Sequence, residues 1–371
     1  MVFSIRLLCA FLISTEIFAS QFSTQCGVGK ECLLELPGAT CGDGTPTYFT
    51  LTQRKHAKKL LIYLDGGGGC WNKDTCTAGY ARNLTRVETA TDWEGGTGAW
   101  DASDRENPFA EDFDVVTVPY CTGDAYTGSR VADYGSPKEP YEVRHMGYAN
   151  TQRLFGAVKS LYPDPDQVVL MGCSAGGIGV NFNLRGPAAT YPETDKVVIS
   201  DAGTPFRPPF VDGNNYYKVM RNWGADKNLP DDVKDFGQLL RYNSQNFPSI
   251  RYSFISAYGD QVMTFFAWSV GALAPLTAVR RNIIDVAENF IGRNNPTSKV
   301  FYIDAVSHCH TPKKLSSVVS EGQTLGKWLT AQVNNESEWG NVRPDLRPGF
   351  KQKARPNLMN VDQWKRFKEM P

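Results

Sequence analysis

Gly172-Cys173-Ser174-Ala175-Gly176 brings together the residue types of an activated hydroxyl nucleophile. A serine at its free pKa is a poor nucleophile; it needs a base to take its proton and a third group to orient that base. Glycines two residues before and after let the chain reverse sharply and lift the hydroxyl clear of the backbone. The bare pattern is weak in a chain with 34 glycines. Its context is more specific, because Gln167–Met171 reads QVVLM, a run suited to a buried strand, and a helix is expected from Ala175 onward.

The base is narrowed by scarcity. The chain has four histidines, and in sheets that present a serine this way the acid and then the histidine follow the nucleophile in sequence. Of His56, His145, His308 and His310, only the last two follow Ser174. His308 is preferred because Ser307-His308-Cys309-His310 lies just past the last good strand, Lys299–Ile303, where a loop can carry an imidazole over the serine; His310 is then a surface or supporting residue. For the acid, Tyr258-Gly259-Asp260 ends the strand two after the serine, which favours Asp260. Asp201, in Ser200-Asp201-Ala202-Gly203, is the alternative, and Asp304 stands too close in sequence to His308 to reach its ring easily. A developing oxyanion calls for backbone N–H donors, one from Ala175 and others from the glycines of Asp65-Gly66-Gly67-Gly68-Gly69. That run lacks the Gly-Lys-Ser/Thr ending of a phosphate-binding loop.

Cysteine placement gives an independent test. If Ser174 and His308 approach within hydrogen-bonding reach, their neighbours Cys173 and Cys309 fall near the span a disulfide can bridge. Cys70 with Cys76 is the favoured local pair among the remaining six, whose connectivity stays open.

The elements that must position these groups alternate. Leu60–Leu64 (LLIYL), Asp114–Tyr120, Gln167–Met171, Lys196–Ser200, Arg251–Ala257 and Lys299–Ile303 read as strands. Helices are expected over Tyr141–Leu161, after Ala175, near Asp231–Arg241 and around Val279–Phe290. Alternation of this kind predicts an α/β chain with a mostly parallel sheet covered by helices on both faces. Trp71–Pro108, with Trp71, Trp93 and Trp100, is a long loop of functional length. The apolar stretch Val262–Ala278 reads as a buried helix, with an acyl-pocket wall or lid as the functional alternative.

Residues 1–20 carry Arg6, an apolar stretch from Leu7 to Ile13 and small residues at Ala19 and Ser20, the three-part form of a secretory signal. Its removal discards Cys9, one of nine cysteines, and leaves an even set on a chain sent to an oxidising place. The expected organisation is a signal peptide at 1–20, a catalytic domain at 21–340 and a basic arm at 341–371, with no stable membrane span. Lys and Arg balance Asp and Glu at 39 each, which offers no electrostatic footprint for nucleic acid. No metal-ligand spacing of the strong zinc patterns occurs, and oligomeric state is not readable.

Five segments in order resemble the landmark motifs of the pectin acetylesterase family. They are Leu64-Asp65-Gly66-Gly67-Gly68-Gly69-Cys70-Trp71, residues 119–128 (PYCTGDAYTG), residues 172–177 (GCSAGG), Ser200-Asp201-Ala202-Gly203 and Ser307-His308-Cys309. The resemblance implies an α/β-hydrolase fold in a single domain with long loops, and a cofactor-free, metal-independent serine carboxylesterase. It implies Ser174, Asp260 and His308 as triad and Gly67, Gly68 and Ala175 at the oxyanion hole. Two positions depart from the family pattern: Asp65 stands where Glu is common, and Gln261 directly follows Asp260 where the family's acid typically has its Gln three places later. The implied substrate is an acetylated carbohydrate such as pectin. A deacylase for longer chains on lipid or protein is the alternative, and an inactive secreted binding protein keeping the fold is a third.

Overall fold

The computed structural model describes residues 27–55, 57–86, 98–204, 206–286, 289 and 296–345. Residues 1–20, most of the 341–371 arm, His56 and Trp93 lie outside the described residues. Among the described residues, the strands and helices that bear on the site are these. The strands are β1 (Glu31–Thr40), β2 (Pro46–Thr52), β3 (Lys59–Leu64), β4 (Phe113–Val118), β5 (Arg130–Asp133), β6 (Glu142–His145), β7 (Gln167–Cys173), β8 (Asp195–Asp201), β9 (Arg251–Ala257) and β10 (Ser298–Ile303). The helices are α1 (Lys73–Thr77), α2 (Gly147–Leu161), α3 (Ala175–Asn183), α4 (Arg185–Thr190), α5 (Gly213–Trp223), α6 (Phe236–Asn246), α7 (Gln261–Ser269), α8 (Pro275–Asp285) and α9 (Leu325–Val333).

Eight strands form one sheet in the order β1-β2-β4-β3-β7-β8-β9-β10. The six from β4 to β10 run parallel, and β1 and β2 add an antiparallel edge. Because side chains alternate along a strand, β3 sends Leu60, Ile62 and Leu64 into one core and Leu61 and Tyr63 into another. The first core is closed by α2, α3 and α5–α8, through residues such as Leu154, Val180, Met220, Leu239, Met263 and Val279. The second is closed by α9, through Leu325, Trp328 and Leu329, and by loop residues such as Phe109. Burying a leucine of this kind contributes about 1.5–3 kcal/mol, so the central strands are held from both sides. Among the described residues no helix is long and apolar enough to cross a membrane.

The expected helix over Tyr141–Leu161 is two elements. Glu142–His145 alternates exposed and buried side chains and pairs antiparallel with β5, placing Val143 opposite Ala132. Val143 and Met146 matched a helical spacing by coincidence; α2 begins at Gly147, whose N–H donates to the buried Asp124 carboxylate at 2.7 Å. A carboxylate there also suits the positive end of the helix dipole. The helix expected from Asp231 starts at Phe236, because Asp235 caps it by accepting the Gln238 N–H at 2.9 Å. The helix expected from Val279 starts at Pro275, a favoured first-turn proline. The edge strands β1 and β2 and the helices α5 and α9 were not anticipated.

Candidate active site

β7 occupies the middle of the sheet and delivers Ser174 at its C-terminal end, immediately before α3. Ser174 adopts φ 56°, ψ −117°, a conformation that L-residues avoid and that persists only where surroundings enforce it. Two bonds enforce it here: the Ser174 N–H donates to the Asp201 carbonyl at 2.9 Å, and the Ser174 carbonyl accepts the Ile178 N–H at 3.0 Å. Gly176 has no alternative, since a Cβ would collide with the Leu64 carbonyl oxygen at the end of β3. The serine is 6 % exposed and lines a cleft.

The glycine loop after β3 packs directly on this turn. A Cβ on Gly66 would lie 3.3 Å from both the Cys173 carbonyl oxygen and Ser174 Cβ. Gly68 has φ 75° and lies against the Tyr80 carbonyl, so only glycine fits. Gly68 and Ala175 line the cleft beside Ser174, whereas Gly67 abuts the Tyr120 ring. No acceptor among the described residues takes the N–H of Gly67, Gly68 or Ala175. Asp65 opens the loop. Burial pushes its carboxyl up to about 7, against the opposing effects of the Gly66 N–H at 2.8 Å and the Arg82 charge.

The loops after β9 and β10 bring Asp260 and His308 together, with His308 Nδ1 2.7 Å from Asp260 Oδ2. Asp260 caps α7, its Oδ1 accepting the Met263 N–H at 2.9 Å, and it is fully buried. With Nδ1 donating to the carboxylate, a neutral imidazole leaves Nε2 as an acceptor. That Nε2 is buried and has no hydrogen-bond partner among the described residues. Cys173 and Cys309 are bonded, with Cα atoms 5.7 Å apart, and this fastens the residues next to Ser174 and His308. One ring nitrogen of His308 lies within 4.8 Å of both sulfurs. Cys70 pairs with Cys76, and Cys41 with Cys121.

Asp201, the alternative acid, meets His310 instead, at 3.1 Å from His310 Nδ1. Among the tryptophans, Trp71 lines the cleft, while Trp100 packs edge-on against Tyr63 and donates to Thr117 Oγ1 at 3.1 Å, a packing role. The cleft encloses about 670 Å³ including its open mouth, and apart from Ser174 its walls are glycine, alanine and large apolar or aromatic residues. Phe206, Tyr216, Val219, Met220, Trp223 and Phe236 line it, together with Met263, Phe266 and Val270 on and just past α7. The wall from 206 to 236 was missed in the sequence, although Tyr216, Val219, Met220 and Trp223 repeat at helical spacing.

A pectinacetylesterase family model matches residues 30–257, well over half of the chain. The chain belongs to that family. The matched span contains the glycine loop, Ser174 and Asp201 and ends before Asp260 and His308. Among curated relatives, palmitoleoyl-protein carboxylesterase notum1a of Danio rerio is 30% identical over 188 residues, 49% of this chain and 36% of that protein. Palmitoleoyl-protein carboxylesterase NOTUM of Homo sapiens is 28% identical over 193 residues, 50% of this chain and 37% of that protein. The matches therefore span little more than a third of those relatives' length. The solved structure of the Wnt deacylase Notum from Drosophila superposes with a TM-score of 0.64 at 19% identity, over 85% of this chain and 98% of that one. This pectinacetylesterase-family chain thus has the α/β-hydrolase-like fold implied by its motifs.

Proposed function

We propose that the chain is a secreted serine carboxylesterase that removes a medium or long acyl group from a lipid or protein hydroxyl. The observation that carries the acyl preference is the lining of the cleft at Ser174, which apart from the serine is glycine, alanine and large apolar or aromatic side chains such as Met220, Trp223, Met263 and Phe266. An acetyl group would leave most of that wall wetted, whereas an alkyl chain gains about 0.8 kcal/mol per buried methylene. The names of the relatives, palmitoleoyl-protein carboxylesterases, agree with this. Deacetylation of a carbohydrate is the second reading, favoured by the family description. Trp100 packs on Tyr63 and does not line the cleft, which weighs against its stacking on a sugar there.

In the proposed reaction Ser174 Oγ attacks the ester carbonyl while His308 Nε2 takes its proton, and Asp260 stabilises the imidazolium that forms. The N–H groups of Ala175 and of the Gly67–Gly68 loop hold the oxyanion. Collapse breaks the bond to the alcohol, which leaves with the proton from His308 Nε2. Water then attacks the acyl-serine, giving its proton to the same nitrogen, and the acid departs as Ser174 is re-protonated. A series of p-nitrophenyl esters from acetate to palmitate tests the reading. A kcat/KM that rises with chain length to at least octanoate is expected. A maximum at acetate, with activity on acetylated pectin, would replace it by the carbohydrate reading, and no hydrolysis of any ester by the wild-type chain would sink both.

A further inference from the structure

We propose that Asp201 and His310 form a second acid–imidazole pair that positions the His308 loop against the Ser174 turn. It rests on the esterase function proposed above. Asp201 ends β8 and lies beside Cys173 in the parallel register. It serves two loops at once. Its carbonyl holds the Ser174 N–H, and its carboxylate Oδ2 accepts the His310 N–H at 2.6 Å, the Thr311 N–H at 2.6 Å and the Thr311 hydroxyl at 2.9 Å. Oδ1 meets His310 Nδ1 at 3.1 Å. One buried residue therefore ties the nucleophile's backbone to the backbone two and three places past His308.

Burial alone would push the Asp201 carboxyl up. The His310 ring and the His310 and Thr311 N–H groups outweigh it, and the group stays below the ordinary carboxylate range, an anion at neutral pH. The His310 ring is 1 % exposed and its Nε2 lies 3.1 Å from Ser307 Oγ, so it bridges the residue before His308 to Asp201. Between them Cys309 has φ 51°, a left-handed backbone that costs an L-residue about 1–2 kcal/mol. A loop bent in this way keeps its shape only if its ends are held. The disulfide holds the middle, and the Asp201–His310 pair holds the end nearest the base.

A pair that only stabilised the fold would change Tm and the number of active molecules. A positioning pair changes the rate per active site, because displacing a catalytic group by about 1 Å costs on the order of 100-fold. The experiment compares His310→Ala, His310→Asn and Ser307→Ala in the full oxidised chain, with kcat and KM expressed per serine titrated by a fluorophosphonate, well below each variant's Tm. His310→Ala is expected to lower kcat by about 10–100-fold with KM within about two-fold. His310→Asn keeps a donor for Asp201 and is expected to recover at least about ten-fold of that loss, and Ser307→Ala to lose a few-fold. A wild-type kcat per titrated site in His310→Ala overturns the proposal whatever happens to Tm. If that variant does not fold, wild-type kcat in Ser307→Ala overturns it. Ser174→Ala is measured alongside: full activity there refutes the serine-esterase mechanism proposed above, whereas its inactivity beside unchanged His310 variants refutes only the positioning pair.

Discussion

Asp260 and His308, 48 residues apart in sequence, meet at 2.7 Å with the second carboxylate oxygen committed to the Met263 N–H. The acid is thereby fixed from two sides and cannot rotate away from the ring. Replacing Asp260 by Asn keeps the shape but removes the charge that favours the Nδ1–H tautomer and the imidazolium. Hydrolysis of the best p-nitrophenyl ester is expected to fall by about ten-thousand-fold in kcat. A loss below about ten-fold would assign the acid elsewhere.

The Cys173–Cys309 bond spans 136 residues and joins the two loops that carry the proposed nucleophile and base. Cys309→Ser should lower stability by about 2–5 kcal/mol, read from denaturant unfolding. Activity per folded molecule should fall as well, because the link restrains the His308 loop directly. Unchanged activity in the folded variant would show that hydrogen bonds alone hold the loop.

Chain-length preference should reside in the cleft wall. Met220 is buried and lines it from α5. Met220→Trp fills the space past the serine, so hydrolysis of a long-chain ester should drop by about 100-fold while acetate hydrolysis stays within about two-fold. Equal loss on both substrates would mean the side chain supports the fold rather than the acyl group.

Asp65 makes stability depend on pH. Its carboxyl, near 3.8 in an unfolded chain, is pushed up to about 7 by burial in the folded one. Between about pH 4 and 7 the native state therefore holds a proton that the unfolded state has released. Stability from this group is full below pH 4, declines as pH rises and levels off above 7, a loss of roughly a few kcal/mol. Asp65→Asn should remove that slope in urea unfolding measured from pH 4 to 8. An unchanged slope would place the titration on another group.

Strands buried on both faces were legible because a continuous apolar run such as LLIYL has few other uses, and Arg251–Ala257 was bounded to the residue. Ser174 stands out in the sequence through its strand-turn-helix setting, while elimination among four histidines leaves His308 and His310, and the place just past the last strand favours His308. Less visible were features fixed by distant partners. Glu142–His145 is a strand because Arg130–Asp133 lies beside it, and nothing local in its four residues excludes a helical turn. The edge strands β1 and β2 depend on each other in the same way. The cleft was hidden for a different reason: an apolar residue facing a cleft, on α5, α6 or α7, reads the same in sequence as one facing a core. The pairing of His310 with Asp201 joins residues 109 apart; in the sequence His310 reads as a surface or supporting residue and Asp201 as the alternative acid, and nothing local links the two.

The division of labour between sheet and helices carries a consequence for descent. The proposed nucleophile, base, acid and oxyanion donors hang from the ends of β3, β7, β9 and β10, whereas much of the cleft wall proposed to face the acyl group hangs from α5, α6 and α7. On the proposed function, substitutions on α5 and α6 would alter which ester is accepted with little effect on the atoms that break it, whereas the first turn of α7 also holds Asp260 through the Met263 N–H. A lineage with this architecture can therefore exchange one acyl group for another by drift at its periphery, and kinship within it is a better guide to reaction than to diet.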